Sequence, residues 1–293
     1  MKLYYGIESN RIDITEKALE LCKFNSILYI PCKYWDKLFG DPIYGTHKCI
    51  YIEDNKSFIC NDTEDIVYNM ELKEVYKVSI PNIREKLADI HSRLNLKHGS
   101  FMDEYPEQEI AVRFLKGNEK VLELGGNIGR NTLVIASILH DSKQLVSLEC
   151  DLVSVKKLQE NRDTNFFKFQ IEPSALSKRK LLQKGWDTIA SETPLDGYKE
   201  VATITYDQLL EKYKIPFDTL IADCEGALYY IFSDMPEMLD SIKLIIMEND
   251  YRDVTHKEHV DSILISYKFT RVYSEAGGWE PCYRRFYEVW KKV

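Results

Sequence analysis

The sequence predicts an α/β protein: a doubly wound, mostly parallel sheet in the C-terminal two thirds, preceded by a small strand-rich unit. Three observations lead there. From Pro106 onward, short apolar runs alternate with stretches of helical spacing. The first of these runs, Lys120 to Leu124, ends in Gly125-Gly126 and leads directly into a helical stretch. Before residue 80 the chain carries apolar runs separated by turn chemistry and little helical spacing. Repeated strand–helix alternation implies parallel strands covered on both faces.

In the N-terminal part, strands are expected at Ile27–Ile30, Ile50–Ile52 and Val75–Ile80. Turns at Phe39-Gly40-Asp41-Pro42 and Asp54-Asn55 divide them, and one helix is expected between Thr15 and Phe24. This gives a boundary near residue 80: an accessory unit over 1–80, a helical linker over 81–105, and the main domain over 106–293. A protease-accessible boundary is expected between Pro81 and Ser100, and residues from about 83 onward are expected to fold alone.

Pro106 opens a helix over 107–115. Strands follow at 120–124, 144–148, 167–171, 219–222, 244–247, 269–273 and 286–290, with helices at 129–140 and 152–161. The stretch Ser177–Ala202, which includes Lys178-Arg179-Lys180, Trp186 and Pro194, is long for a connection. It reads equally as a lid over a site or as a solvated surface excursion.

The 293 residues are 44% hydrophobic and 29% charged, the balance of a packed globular chain. A net charge of −8 argues against non-specific binding to nucleic acid or to an anionic membrane. No apolar run is long enough for a membrane span, and Met1–Asn10 has no secretory pattern, so a cytoplasmic location is expected. The seven cysteines are dispersed and form no Cys-x-x-Cys pair, which reads as reduced thiols rather than zinc ligands.

The chemistry begins at Glu123-Leu124-Gly125-Gly126-Asn127-Ile128-Gly129. Glycines between a strand and a helix let the backbone approach a ligand closely. A dinucleotide fingerprint needs glycines where Asn127 and Arg130 stand. What remains is an acid followed by Gly125 and Gly129, and a carboxylate at Glu123 suits an ammonium rather than a phosphate. Glu149 ends the next strand 24 positions after Gly125, near the spacing expected of the acid that grips a ribose diol, with Asp151 as a rival. The pair selects an adenosine ligand with a cationic tail, which S-adenosylmethionine is.

With these residues in view, the segment from about 106 to 293 resembles the FkbM-type methyltransferases, a class I, Rossmann-like, S-adenosylmethionine-dependent group acting mostly on sugar hydroxyls. The resemblance is carried by Pro106-Glu107-Gln108-Glu109, the glycine turn, Ser174-Ala175-Leu176-Ser177, Thr205-Tyr206-Asp207-Gln208-Leu209, Phe217 to Ala227 and Ile245-Ile246-Met247-Glu248-Asn249. Within Phe217 to Ala227, Asp223, Glu225 and Gly226 keep the family's pattern, Ala222 departs from it, and Leu228 just beyond stands where a second Glu is usual. The N-terminal part resembles accessory domains on glycan-building enzymes of giant viruses and some algae, through Tyr5-Gly6, Ile12-Asp13-Ile14-Thr15 and Phe39 to Gly45. That implies a glycan context and the cytoplasm of an infected cell.

The resemblance implies O-methylation of a sugar, nucleotide-sugar or glycan. The cofactor-binding set is then Glu123, Gly125, Gly126, Asn127, Gly129, Glu149, Ser174 and Ala175. A sugar hydroxyl needs a base or a metal to lose its proton. The candidates are Asp223, Glu225, Glu248 and His256, and the three acids could instead hold Mg²⁺ or Ca²⁺. Glu225 reads otherwise as a helix N-cap, and His256 and His259 as solvated side chains. Trp279 is either a sugar-stacking ring or a core or lid aromatic. Two other functions are weighed: a non-catalytic glycan-binding scaffold, and a nicotinamide-dependent sugar oxidoreductase.

Overall fold

A computed structural model describes residues 1–24, 26–32, 35–61, 63–185 and 187–292. Trp186, part of the long connection noted above, lies outside the described residues.

The N-terminal part holds strands β1 (Lys2–Ile7), β2 (Asn10–Asp13), β3 (Lys23–Phe24), β4 (Ile27–Ile30), β5 (Cys49–Glu53), β6 (Ser57–Asn61), β7 (Glu64–Asn69) and β8 (Glu74–Ser79), with helices α1 (Thr15–Cys22) and α2 (Trp35–Phe39). They form two antiparallel four-stranded sheets, β2-β1-β5-β6 and β3-β4-β7-β8. Leu3, Leu28, Ile50, Ile52 and Tyr68 fill their shared core. Strands β1, β2, β3, β6 and β7 were not expected from sequence; the apolar runs of β1, β6 and β7 are only three residues long, Leu3 to Tyr5, Phe58 to Cys60 and Ile66 to Tyr68.

Helix α3 (Ile80–Arg93) leads to α4 (Tyr105–Phe114), which has Pro106 in its first turn. Then come β9 (Val121–Leu124), α5 (Arg130–Ile138), β10 (Leu145–Leu148), α6 (Leu152–Thr164), β11 (Gln170–Glu172) and β12 (Ala175–Leu176). An insertion follows, β13 (Leu181–Lys184), β14 (Asp187–Ala190) and β15 (Lys199–Val201), then β16 (Thr203–Ile204) and α7 (Tyr206–Tyr213). The chain closes with β17 (Thr219–Ala222), α8 (Leu228–Asp234), β18 (Leu244–Glu248), α9 (Val254–Ser266), β19 (Phe269–Glu275) and β20 (Tyr287–Lys292).

The main sheet has the order β11-β10-β9-β17-β18-β20-β19. The first five strands run parallel and β20 is antiparallel to both of its neighbours. This is the doubly wound, Rossmann-like sheet expected from the alternation. Its central strands are buried throughout, and alternate residues feed two cores, Leu122, Leu220 and Ile245 on one face and Val121, Ile221 and Ile246 on the other. The chain winds outward from β9 through β10 to β11, then returns to β17 on the other side of β9. Ligands of such sheets bind where the order reverses, outside the carboxyl ends of the strands.

The two parts of the chain share a core. Tyr29 of β4 and Val67 of β7 pack with Tyr273 of β19 and the main-sheet residues around it, and the rings of Tyr29 and Tyr273 lie 4.7 Å apart. Asp65 on β7 accepts hydrogen bonds from Tyr29, from the Cys32 backbone and from Arg113 of α4. Both charges of the Arg113–Asp65 pair are buried. The expectation that residues from about 83 onward fold alone meets this buried pair, since removing the N-terminal strands would leave Arg113 without its partner.

Candidate active site at the sheet switch point

A cavity of about 340 Å³ opens outside the carboxyl ends of β9, β10 and β17. It is of ligand size. Its walls come from Gly125 and Asn127 of the turn, Glu149 to Asp151 after β10, Ser174 to Leu176, and Asp223 to Glu225 after β17.

The turn is tied down by its own hydrogen bonds. The N–H groups of Gly125 and Gly126 both donate to the Leu148 carbonyl, and that of Gly129 donates to Gly126. The Asn127 N–H donates to Glu149 at 2.8 Å. None of these four donors remains for a pyrophosphate, which agrees with the missing dinucleotide glycines. Gly125 and Gly129 have φ values of +85° and +96°. Gly129 and Gly126 do not line the main cavity: Gly129 lets Leu158 of α6 pack close, and Gly126 lets Ser147 of β10 approach.

Glu149 accepts from Asn127 and, at 2.7 Å, from the Asp151 N–H. Burial raises its carboxyl above the ordinary value. Its rival Asp151 caps α6, accepting from the Val153 and Ser154 N–H groups. Both acids line the cavity, Asp151 held by the helix and Glu149 by the backbone of Asn127 and Asp151.

A narrow crevice adjoins the cavity through Leu124, Gly125 and Asp223, and Glu104, Glu107, Glu123 and Asn131 line it. Glu123 lies here and not in the main cavity. It is almost fully buried and accepts from Thr132 at 2.7 Å, and burial pushes it to about 7. Glu104, in a left-handed conformation before α4, accepts from Arg130 at 2.6 Å.

Beside the crevice, one carboxylate oxygen each of Glu107, Asp223 and Glu248 come within 4.8 Å of one another. Burial and repulsion from Asp223 and Glu104 raise Glu107 to about 8. Burial and the charge of Glu107 raise Glu248 to about 10. Asp223 is raised well above the ordinary range, by burial first and then by Glu248 and its other acidic neighbours. Like charges this close cannot all ionise.

Glu225 stands at the rim with φ +51° and bonds to Asp250, and partial desolvation and that neighbour raise it to about 8. It is not the N-cap of α8, where Ala227 takes that position without a side-chain bond. Asp250 also accepts from the Trp279 indole at 2.9 Å, with Trp279 55% exposed. His256 is not brought to the site. It stacks on Tyr229 at 3.7 Å and lines neither cavity nor crevice. His259 contacts Ser233.

Sequence reasoning missed Glu104 and Glu107 as site residues. Glu107 stood inside the Pro106-Glu107-Gln108-Glu109 match, which was the available signal. All seven cysteines are free, and Cys150 and Cys224 line the cavity with burial holding both thiols protonated. No helix among the described residues is long and apolar enough to cross a membrane.

No protein-family model matches the chain, and no curated protein sequence matches it. Several solved structures are similar. One is an O-methyltransferase from Bacillus cereus in complex with SAH, 13% identical over 72% of this chain and 87% of that one, with a TM-score of 0.40. A ribosomal protein L11 methylase from Lactobacillus delbrueckii subsp. bulgaricus is 12% identical over 64% of this chain and 80% of that one, TM-score 0.40. An rRNA methylase from Streptococcus thermophilus is 10% identical over 64% and 95%, TM-score 0.40. What the cavity does is read from its own residues.

Proposed function

We propose that the chain is an S-adenosylmethionine-dependent methyltransferase that methylates a sugar hydroxyl. The observation that carries this reading is a cavity lined by Glu149 that adjoins an acid-lined crevice. A nucleoside with a cationic amino acid tail complements both, and a dinucleotide complements neither. When bound, S-adenosylmethionine supplies an electrophilic methyl group.

The residues of this chain then have three tasks. Glu149 orients the ribose, and Glu104, Glu107 and Glu123 surround the ammonium group. Asp223, which borders both cavity and crevice, takes the acceptor's proton. Its raised proton affinity suits a base for a weakly acidic hydroxyl. Glu225, Asp250 and Trp279 form the rim that meets the acceptor. A rim of acids favours a neutral sugar over a phosphate-bearing nucleotide-sugar or an RNA strand, and Trp279 offers an exposed ring face. A cytoplasmic setting accords with this reading.

One observation favours a second version. The all-carboxylate group of Glu107, Asp223 and Glu248 suits a hard divalent cation such as Mg²⁺. A cation there would acidify the hydroxyl, and Glu107 replaces the Glu225 expected from sequence.

The test is methyl transfer from labelled S-adenosylmethionine to a panel of neutral sugars, nucleotide-sugars and RNA, with and without a chelator. Transfer to a neutral sugar is expected. Transfer only to RNA overturns the acceptor class, and binding of cofactor without transfer to any acceptor favours a scaffold. Activity lost to the chelator and restored by Mg²⁺ selects the cation version.

A further inference from the structure

The connection between Ser177 and Ala202 is neither loose nor peripheral. Its strands form a separate sheet, β14-β13-β15. We infer that this sheet is a lid over the cofactor's adenosine and that Gln183 is the lid's polar contact with the nucleoside. The inference rests on the methyltransferase reading above.

Leu181 and Gln183 alternate on β13 and so share one face. Gln183 pairs with Thr188 across β14, which puts Thr188 on that same face. All three side chains line the cavity, together with Ser174 and Ala175 of the main domain. Leu182, between them, is buried. Gln183 lines the same cavity as Cys150, the residue after Glu149. The lid's carboxamide and the acid assigned to the ribose therefore border one cavity. A leucine with neighbouring amide and hydroxyl groups matches a purine nucleoside, which has flat apolar faces and a polar edge.

The base of the lid is anchored. Arg179 donates to both carboxylate oxygens of Asp234, at 2.5 and 2.7 Å, and lies 4.9 Å over the ring of Tyr230. Lys178 donates to the Asp234 carbonyl at 2.7 Å. These contacts hold the base of the insertion to α8.

The test uses the full chain, S-adenosylhomocysteine and adenosine. The ligand should slow amide exchange across residues 181–190. Gln183→Ala should weaken both ligands about two- to tenfold, as expected for one neutral hydrogen bond. Its apo melting temperature should stay at the parent value, and Thr188→Val serves if Gln183→Ala does not fold. Parental affinity in the variant with unchanged exchange in 181–190, while the parent binds, overturns the lid alone. If the parent binds neither ligand, the cofactor reading falls and the lid with it.

Discussion

The carbonyl of Asp223 passes so close to Gly125 that a Cβ on residue 125 would lie 1.7 Å from its oxygen. The ends of β9 and β17 meet there, at the reversal of strand order. Only a residue without a side chain, at φ +85°, closes this gap. The contact fixes the Asp223 backbone against the cofactor turn.

Gly125→Ala should force the two strand ends apart. The expected cost is at least about 2 kcal/mol, combining a left-handed backbone with a backbone clash. Urea denaturation measures it. An unchanged midpoint together with parental cofactor affinity would show that the contact is not needed.

Asp223→Asn keeps the shape and removes the base. Turnover should fall about 10²- to 10⁴-fold with little change in cofactor affinity. Because burial and acidic neighbours raise Asp223 well above its ordinary value, the parent's rate should climb with pH beyond the ordinary carboxylate range. A parental rate in Asp223→Asn removes it as base and turns attention to Asp250.

Glu107 and Glu248 bind protons more tightly in the folded chain than at their ordinary value of 4.5. Their contribution to stability is fully present below that value and is lost as the pH rises through about 8 and about 10. The apo melting temperature should therefore fall between pH 5 and 9, and Glu107→Gln should flatten the slope. A melting temperature that rises over this range contradicts the assignment.

How much of this was legible in sequence depended on how local each signal was. The glycine turn, Glu149 and Asp223 follow strands whose apolar runs are short and sharply bounded, so their places at the strand ends could be read. Glu107 could not be placed, because α4 precedes the sheet and only packing brings it to Glu248. The insertion was unreadable as strands, since Leu181–Lys184, Asp187–Ala190 and Lys199–Val201 are three or four residues long with little alternation. His256 misled by proximity: it follows Glu248 closely in sequence, yet α9 carries its ring onto Tyr229.

Asp65→Asn should destabilise the whole chain, because it leaves the buried Arg113 charge without its partner. The loss expected for half of a buried pair is about 3–5 kcal/mol. Residues 81–293 expressed alone should be insoluble or melt far below the full chain. A soluble fragment with parental cofactor affinity would show that the interface is dispensable.

The central claim is that the cavity beside Glu149 holds S-adenosylmethionine, and titration calorimetry on the full chain tests it most directly. S-adenosylmethionine and S-adenosylhomocysteine should bind one to one. Glu149→Ala should cost about 1.5–3 kcal/mol for each charge-assisted hydrogen bond lost, and NAD should give no heat. Binding of NAD, or no binding of either adenosyl compound, would contradict it.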